Sequence, residues 1–207
     1  MAATYKGYSK LAEKLARVTH FTCEETDCLL NMYDTVAGGC RLDANRFRDV
    51  MHAVFGMTDD VMLEYIFQVF DADRDGSVGP EEFVCKMSVF LRGTLPELVD
   101  YCYSVYDHNR DGGVSREEMM QLLRPHVVTL PPGEERDEVA KDLLDLAVKK
   151  LDEDHDGRVS REDYTAAVTR EPLLLEALGA CLPETRARDE FLATFMEKYG
   201  RKLQQPI

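Results

Sequence analysis

The chain has 207 residues, 44% hydrophobic and 31% charged, enough for one large domain or two small lobes with a buried core. Its 39 acidic and 25 basic residues leave a formal charge of −14, which repels a phosphate backbone and argues against nucleic acid as the main partner. No run of about 18 apolar residues occurs, so no helix is expected to span a membrane.

Residues 1–18, MAATYKGYSKLAEKLARV, contain no apolar run of secretory length, and with Ala2 in place of glycine no N-myristoyl anchor is expected. Thr22-x-x-Glu25 is a capping box that opens a helix reaching about Tyr33. Phe47, Val50, Met51, Val54 and Phe55 form a second apolar stripe at helical spacing. The six cysteines (23, 28, 40, 85, 102 and 181) are scattered, with no C-x-x-C. Cys28, Cys85, Cys102 and Cys181 sit within apolar patterns, as reduced buried thiols do. No Cys/His cluster has zinc spacing.

After Ile66, Val69 and Phe70 comes DADRDGSVGPEE, residues 71–82. Like charges at every second position repel one another unless a cation sits between them. The stretch fits the EF-hand loop D-x-[DN]-x-[DN]-G-x5-E. Asp71, Asp73 and Asp75 offer carboxylates from positions 1, 3 and 5, and Gly76 permits the turn. Ser77 offers its backbone carbonyl, Val78 turns to the core, and Gly79 leaves position 9 to a water. Glu82 closes the cage with both oxygens. Phe83, Met87, Phe90 and Leu91 form the outgoing stripe.

The pattern recurs twice. Thr94-x-x-Glu97 caps a helix carrying Val99, Cys102, Tyr103 and Tyr106. Residues 107–118 follow, with Asp107, Asn109, Asp111, the Gly113 carbonyl and Glu118 as ligands, then Met119, Leu122 and Leu123. PHVVTLPPGEERDE (125–138) is expected to be a long exposed loop, with a partner-contacting role as the sharper reading. Leu144, Val148 and Leu151 precede residues 152–163, with Asp152, Asp154, Asp156, the Arg158 carbonyl and Asp163 as ligands. Tyr164 and Val168 come after. Asp163 is one methylene shorter than Glu, which favours weaker calcium binding or the smaller Mg²⁺ at this loop. Up to three Ca²⁺ ions are expected, and they would take the formal charge from −14 to −8.

EF-hands pair, so three imply a fourth. Counting back from Phe47 places Leu42 at position 8 of a loop over 35–46. Its ligand places then hold Thr35, Ala37, Gly39 and Arg46, with no carboxylate. This is a degenerate hand, expected to pair with residues 71–82 and to hold no metal. The fold class is all-α, with two EF-hand lobes. The N-terminal lobe, 1–92, holds the degenerate hand at about 22–55 and the hand at 59–92. The C-terminal lobe, 93–170, holds hands at 94–125 and 139–170. A helical tail covers 171–207. In it, EPLLLEALGACLP (171–183) places Leu173, Leu174, Leu175, Leu178 and Leu182 on one helical face. A second amphipathic helix over about 188–199 carries Phe191, Leu192, Phe195, Met196 and Tyr199. The tail either fills an apolar groove as core or is displaced from it by calcium or a partner.

NRFRDVMHAVFGMTDD (45–60), MSVFLRGTL (87–95), YCYSVYDHNRDG (101–112) and EPLLLEALGACLP (171–183) resemble the calaxins, the EF-hand calcium sensors of ciliary and flagellar axonemes. The resemblance covers about residues 22–183. It implies a silent first hand and calcium at the other three. It also implies partners in outer-arm dynein and its docking complex on doublet microtubules, within the cytoplasm, cytoskeleton and axoneme. The wider resemblance is to neuronal calcium sensors, which usually carry a myristoylation signal. Its absence here favours the axonemal reading. Other readings are a constitutive structural subunit stapled by calcium, a soluble buffer, and a regulatory subunit of the calcineurin B type. The chain has no G-x-x-x-x-G-K-[ST], G-x-S-x-G or H-E-x-x-H and is not expected to be an enzyme. His108 and His155 occupy non-ligand loop places.

Overall fold

The computed structural model describes residues 8–127 and 136–203, without the side chains of 126, 136 and 195–203. Most of residues 125–138, and the Phe195, Met196 and Tyr199 side chains, therefore lie outside the described residues. The helices are α1 (Ser9–Ala16), α2 (Cys23–Ala37), α3 (Ala44–Phe55), α4 (Asp60–Phe70), α5 (Pro80–Arg92), α6 (Leu95–Tyr106), α7 (Arg116–Leu123), α8 (Arg136–Leu151), α9 (Arg161–Arg170) and α10 (Thr185–Leu203). The strands are two residues each: β1 (Leu42–Asp43), β2 (Ser77–Val78), β3 (Gly113–Val114) and β4 (Val159–Ser160). The fold is all-α, as expected.

β1 pairs antiparallel with β2, matching Leu42 to Val78, and β3 with β4, matching Val114 to Val159. These four residues hold position 8 of their loops and are fully buried. The degenerate hand thus pairs with residues 71–82. Close packing groups the described residues into two units. One comprises 8–58, 70–93 and 183–203, the other 59–69, 94–127 and 136–182.

In the first unit, Glu25 caps α2 by accepting from the Thr22 amide at 2.8 Å. The helix runs to Ala37, past Tyr33, because the first breaker is Gly38, which takes the left-handed conformation at φ 63°. α1 was not anticipated. It lays Ala12 and Leu15 against α2 and α5. The core is aromatic: Phe47 and Phe70 lie 4.9 Å apart, Phe55 and Phe90 5.3 Å, and Tyr33 and Phe83 5.6 Å. α10 packs on α3, with Phe191 5.2 Å from Phe55. The Arg92 guanidinium forks onto Glu25 at 2.6 and 2.9 Å and lowers the pKa of that carboxyl.

In the second unit, α6 and α9 bury Val99, Cys102, Tyr103, Tyr106, Tyr164 and Val168. Residues 171–183 are not the expected α-helix. They form a 3-10 turn, Pro172–Glu176, followed by an irregular pass with Gly179 at φ 139°. The Tyr106 hydroxyl donates to the Gly179 carbonyl at 2.8 Å and the Leu175 carbonyl at 3.3 Å, and Tyr164 also donates to Leu175. These hydroxyls take carbonyls that an α-helix would spend on its own amides. Glu176 accepts from the Cys181 and Leu182 amides at 2.9 and 2.8 Å and closes the loop. Leu178 and Cys181 are buried, whereas Leu173 is 90% exposed. Cys181 Sγ lies 3.2 Å from Cys102 Sγ, both as free thiols. Of the other cysteines placed in apolar patterns, Cys28 is buried and Cys85 only half-buried.

Candidate metal centres

Each loop begins where a helix runs out and ends in the first turn of the next, so its position-12 residue belongs to both. Glu118 shows the division of labour. One oxygen accepts from the Ser115 amide at 2.8 Å, capping α7, while the other faces the Asn109 amide at 3.4 Å inside the loop. Glu82 does the same, accepting from Gly79 at 2.7 Å with one oxygen and from Ala72 and Asp73 at 2.9 and 3.2 Å with the other. Asp163 does not. Its bonded oxygen accepts from the Ser160 amide at 3.0 Å and the Ser160 hydroxyl, both at the cap.

The position-1 aspartates are the buried anchors. Asp71, Asp107 and Asp152 are 6%, 6% and 3% exposed and accept from Gly76, Gly112 and Gly157 at 2.9, 3.1 and 3.0 Å. Those glycines hold φ of 86°, 91° and 88°. Position 4 is also left-handed, at Arg74, Arg110 and His155. No residue type in the motif announces that.

Oxygens of Asp71, Asp73 and Glu82 all lie within 4.8 Å of one another, and so do those of Asp152, Asp154 and Asp156. An all-oxygen set of ionised carboxylates fits a hard divalent cation. Asp75 stands apart from the first cluster. The Ser77 hydroxyl and amide at 2.7 and 2.9 Å, with Arg41 beside them, hold its carboxyl below the ordinary range. In loop 107–118, Asn109 Nδ2 donates to Asp111 at 3.2 Å. His108, placed in a non-ligand position from sequence, stacks on Tyr65 with centroids 4.6 Å apart and sets Nδ1 3.1 Å from Glu118.

Two further side chains escaped the sequence reading. Arg41 reaches over loop 71–82, with Nη1 2.8 Å from Asp75 and Nη2 2.9 Å from Glu82. The Arg158 side chain reaches over loop 107–118 to Asp111 and, at 2.6 Å, to the Gly113 carbonyl. In the degenerate loop, Arg46 at position 12 turns its guanidinium onto the Ala37 carbonyl at position 3. The position-12 side chain of this loop is thus a cation bonded to its own backbone.

Family profiles agree with this geometry. One described as an EF-hand domain pair matches residues 99–169, and one described as EF hand matches 63–84. The fold and its loops define an EF-hand calcium-binding protein. Among curated relatives, calaxin of Bos taurus is 42% identical over 197 residues, 91% of this chain and 93% of the relative. Calaxin of Danio rerio is 45% identical over 185 residues, 86% and 88% of the two chains. The calcium-binding protein NCSA of Dictyostelium discoideum is 28% identical over 87 residues, 42% of this chain and 46% of the relative. The chain belongs to the calaxin family. Among the described residues, no helix is long and apolar enough to cross a membrane.

Proposed function

We propose that this protein is a calcium sensor subunit of ciliary and flagellar axonemes, associated with outer-arm dynein and its docking complex, which adjusts dynein-driven motility as calcium changes. The observation that carries the calcium part is the convergence of carboxylates at 71–82 and 152–163 on paired hands. Membership of the calaxin family supports the axonemal part. The first site would be held by Asp71, Asp73, Asp75, Glu82 and the Ser77 carbonyl. Asp107, Asn109, Asp111, Glu118 and the Gly113 carbonyl would hold the second. Asp152, Asp154, Asp156, Asp163 and the Arg158 carbonyl would hold the third, where Mg²⁺ is the natural competitor. Calcium, when bound, supplies a doubly positive centre that relieves repulsion among these carboxylates.

The chain does the rest. Position-12 glutamates begin α5 and α7, so drawing Glu82 or Glu118 inward shifts the start of the outgoing helix. In the first unit that helix borders an apolar cavity of about 210 Å³ lined by Met32, Val36, Val54, Phe55, Met87 and Phe191. Phe191 therefore reports movement of α5 to the tail.

The experiment is cosedimentation with doublet microtubules, either carrying outer arms or stripped of arms and docking complexes, in calcium and in EGTA. Calorimetric calcium titration in physiological magnesium runs alongside. Arm-dependent pelleting with calcium binding between about 10⁻⁷ and 10⁻⁵ M supports the reading. Equal pelleting with stripped doublets, or no calcium heat, refutes it. A constitutive subunit with calcium as a staple is the second reading. The tyrosine hydroxyls that fix Leu175 and Gly179 favour it, and it requires residues 171–194 to stay protease-resistant with and without calcium.

A further inference from the structure

Position 7 of a loop lies beside the two-residue strand, so its side chain can cross to the neighbouring loop. The four position-7 residues are Arg41, Ser77, Gly113 and Arg158. Arg41 touches four groups of loop 71–82: Asp75 Oδ2 at 2.8 Å, Glu82 Oε2 at 2.9 Å, the Ser77 carbonyl at 3.1 Å and Asp73 Oδ2 at 3.7 Å. All four residues are assigned to the ion, although the Glu82 oxygen touched is the one that also accepts from the Gly79 amide. Arg158 touches Asp111 and the Gly113 carbonyl, at positions 5 and 7 of its neighbour. Both hand pairs make the same kind of contact.

Glycines make the room. A Cβ on Gly79 would stand 3.0 Å from Arg41 Nη2, and one on Gly113 would stand 3.0 Å from Arg158 Nε. Neither glycine has the positive φ that would demand it for backbone reasons, so the space is what the arginine uses. Loop 152–163 supplies the contrast. Its neighbour offers Gly113, which has no side chain to send across, and there the position-5 Asp156 joins the carboxylate cluster. Asp75, held by Arg41, does not join its own.

We propose that Arg41 and Arg158 are tethered competitors for calcium: each guanidinium holds ligand oxygens of the neighbouring loop and must leave before an ion takes them. The proposal rests on the reading of these loops as calcium sites. It sets the affinity of two sites without altering any ligand. The Arg41 and Arg158 side chains are 42% and 45% exposed, so each has a free path into solvent. In the second pair the device also links two sites. The Arg158 amide donates to Asp156 at 2.7 Å and its carbonyl is a ligand of 152–163, so an ion in that loop fixes the backbone that carries the competitor.

The test is a calcium titration of the full chain followed by NMR at the Gly76, Gly112 and Gly157 amides, each bonded to its own position-1 aspartate. Arg41→Gln is expected to lower the calcium midpoint at Gly76 about tenfold, an exposed charge pair being worth little and a +1 charge beside a divalent ion more. Arg158→Gln should do the same at Gly112. Arg74→Gln removes an equal charge from loop 71–82 and is expected to leave all three midpoints within about twofold. An unchanged Gly76 midpoint in Arg41→Gln overturns the proposal. So does an equal shift in Arg74→Gln, which would make the effect one of net charge. If no glycine responds to calcium in the unaltered protein, the calcium-site reading itself falls.

Discussion

Asp163→Glu tests the cage geometry most directly. Glu82 and Glu118 give one oxygen to the helix cap and one to the loop interior, whereas the bonded oxygen of Asp163 serves the cap at Ser160. In loop 71–82 the position-12 carboxylate joins the converging cluster, and in loop 152–163 it does not. One added methylene, roughly 1.5 Å of reach, lets a second oxygen enter the cage while the first stays on Ser160. One additional charged ligand oxygen is expected to tighten calcium at this loop about tenfold, or about 1.4 kcal/mol. Magnesium should gain less, because its small octahedral shell demands near-ideal geometry and gives up its waters reluctantly. The assay is the calcium midpoint at the Gly157 amide with and without millimolar magnesium. An unchanged or higher midpoint refutes the argument that side-chain length limits this site.

Three further outcomes follow from the packing. Tyr106→Phe removes the donor to Gly179 and Leu175 and is expected to cost about 1–3 kcal/mol, with faster proteolysis between 171 and 182; unaltered cleavage would show that the hydroxyl does not hold this segment. Glu25 is depressed below 4.5, chiefly by its bond to Arg92, so it adds stability above that pH and loses it as pH falls through the folded-state value. The Tm gap between the chelated native chain and Arg92→Gln should therefore shrink from pH 7 to pH 3, and a gap constant with pH would contradict the linkage. Exposed Cys23 and Cys40 should react with a thiol reagent in the native state. Cys102 and Cys181 should react only on unfolding, since both are buried and burial pushes the Cys102 thiol well up. Rapid native labelling of either would place them at the surface.

The three loops could be placed from sequence because an EF-hand is a local device. Twelve consecutive residues supply the turn, the assigned ligands and the next helix cap, so the pattern is read without any distant residue. The pairing of the first hand was legible for the same reason: its spacing places Leu42 at position 8, and the observed pair Leu42–Val78 obeys it. Arg46 at position 12 was visible as a wrong residue, and the structure adds that it bonds Ala37 within its own loop. Residues 171–183 were misread as a helix because apolar periodicity counts side chains alone. Their backbone is decided by the hydroxyls of Tyr106 and Tyr164, 69 and 11 residues away from Leu175. Arg41 and Arg158 were invisible as competitors because their targets lie across a strand pair, 36 residues from Arg41 and 45 from Arg158. Strand register determines which side chain faces which loop, and a slip of one residue would turn both guanidinium groups away. Composition and spacing thus determined the binding chemistry, while the register of two short strand pairs decided what stands in its way.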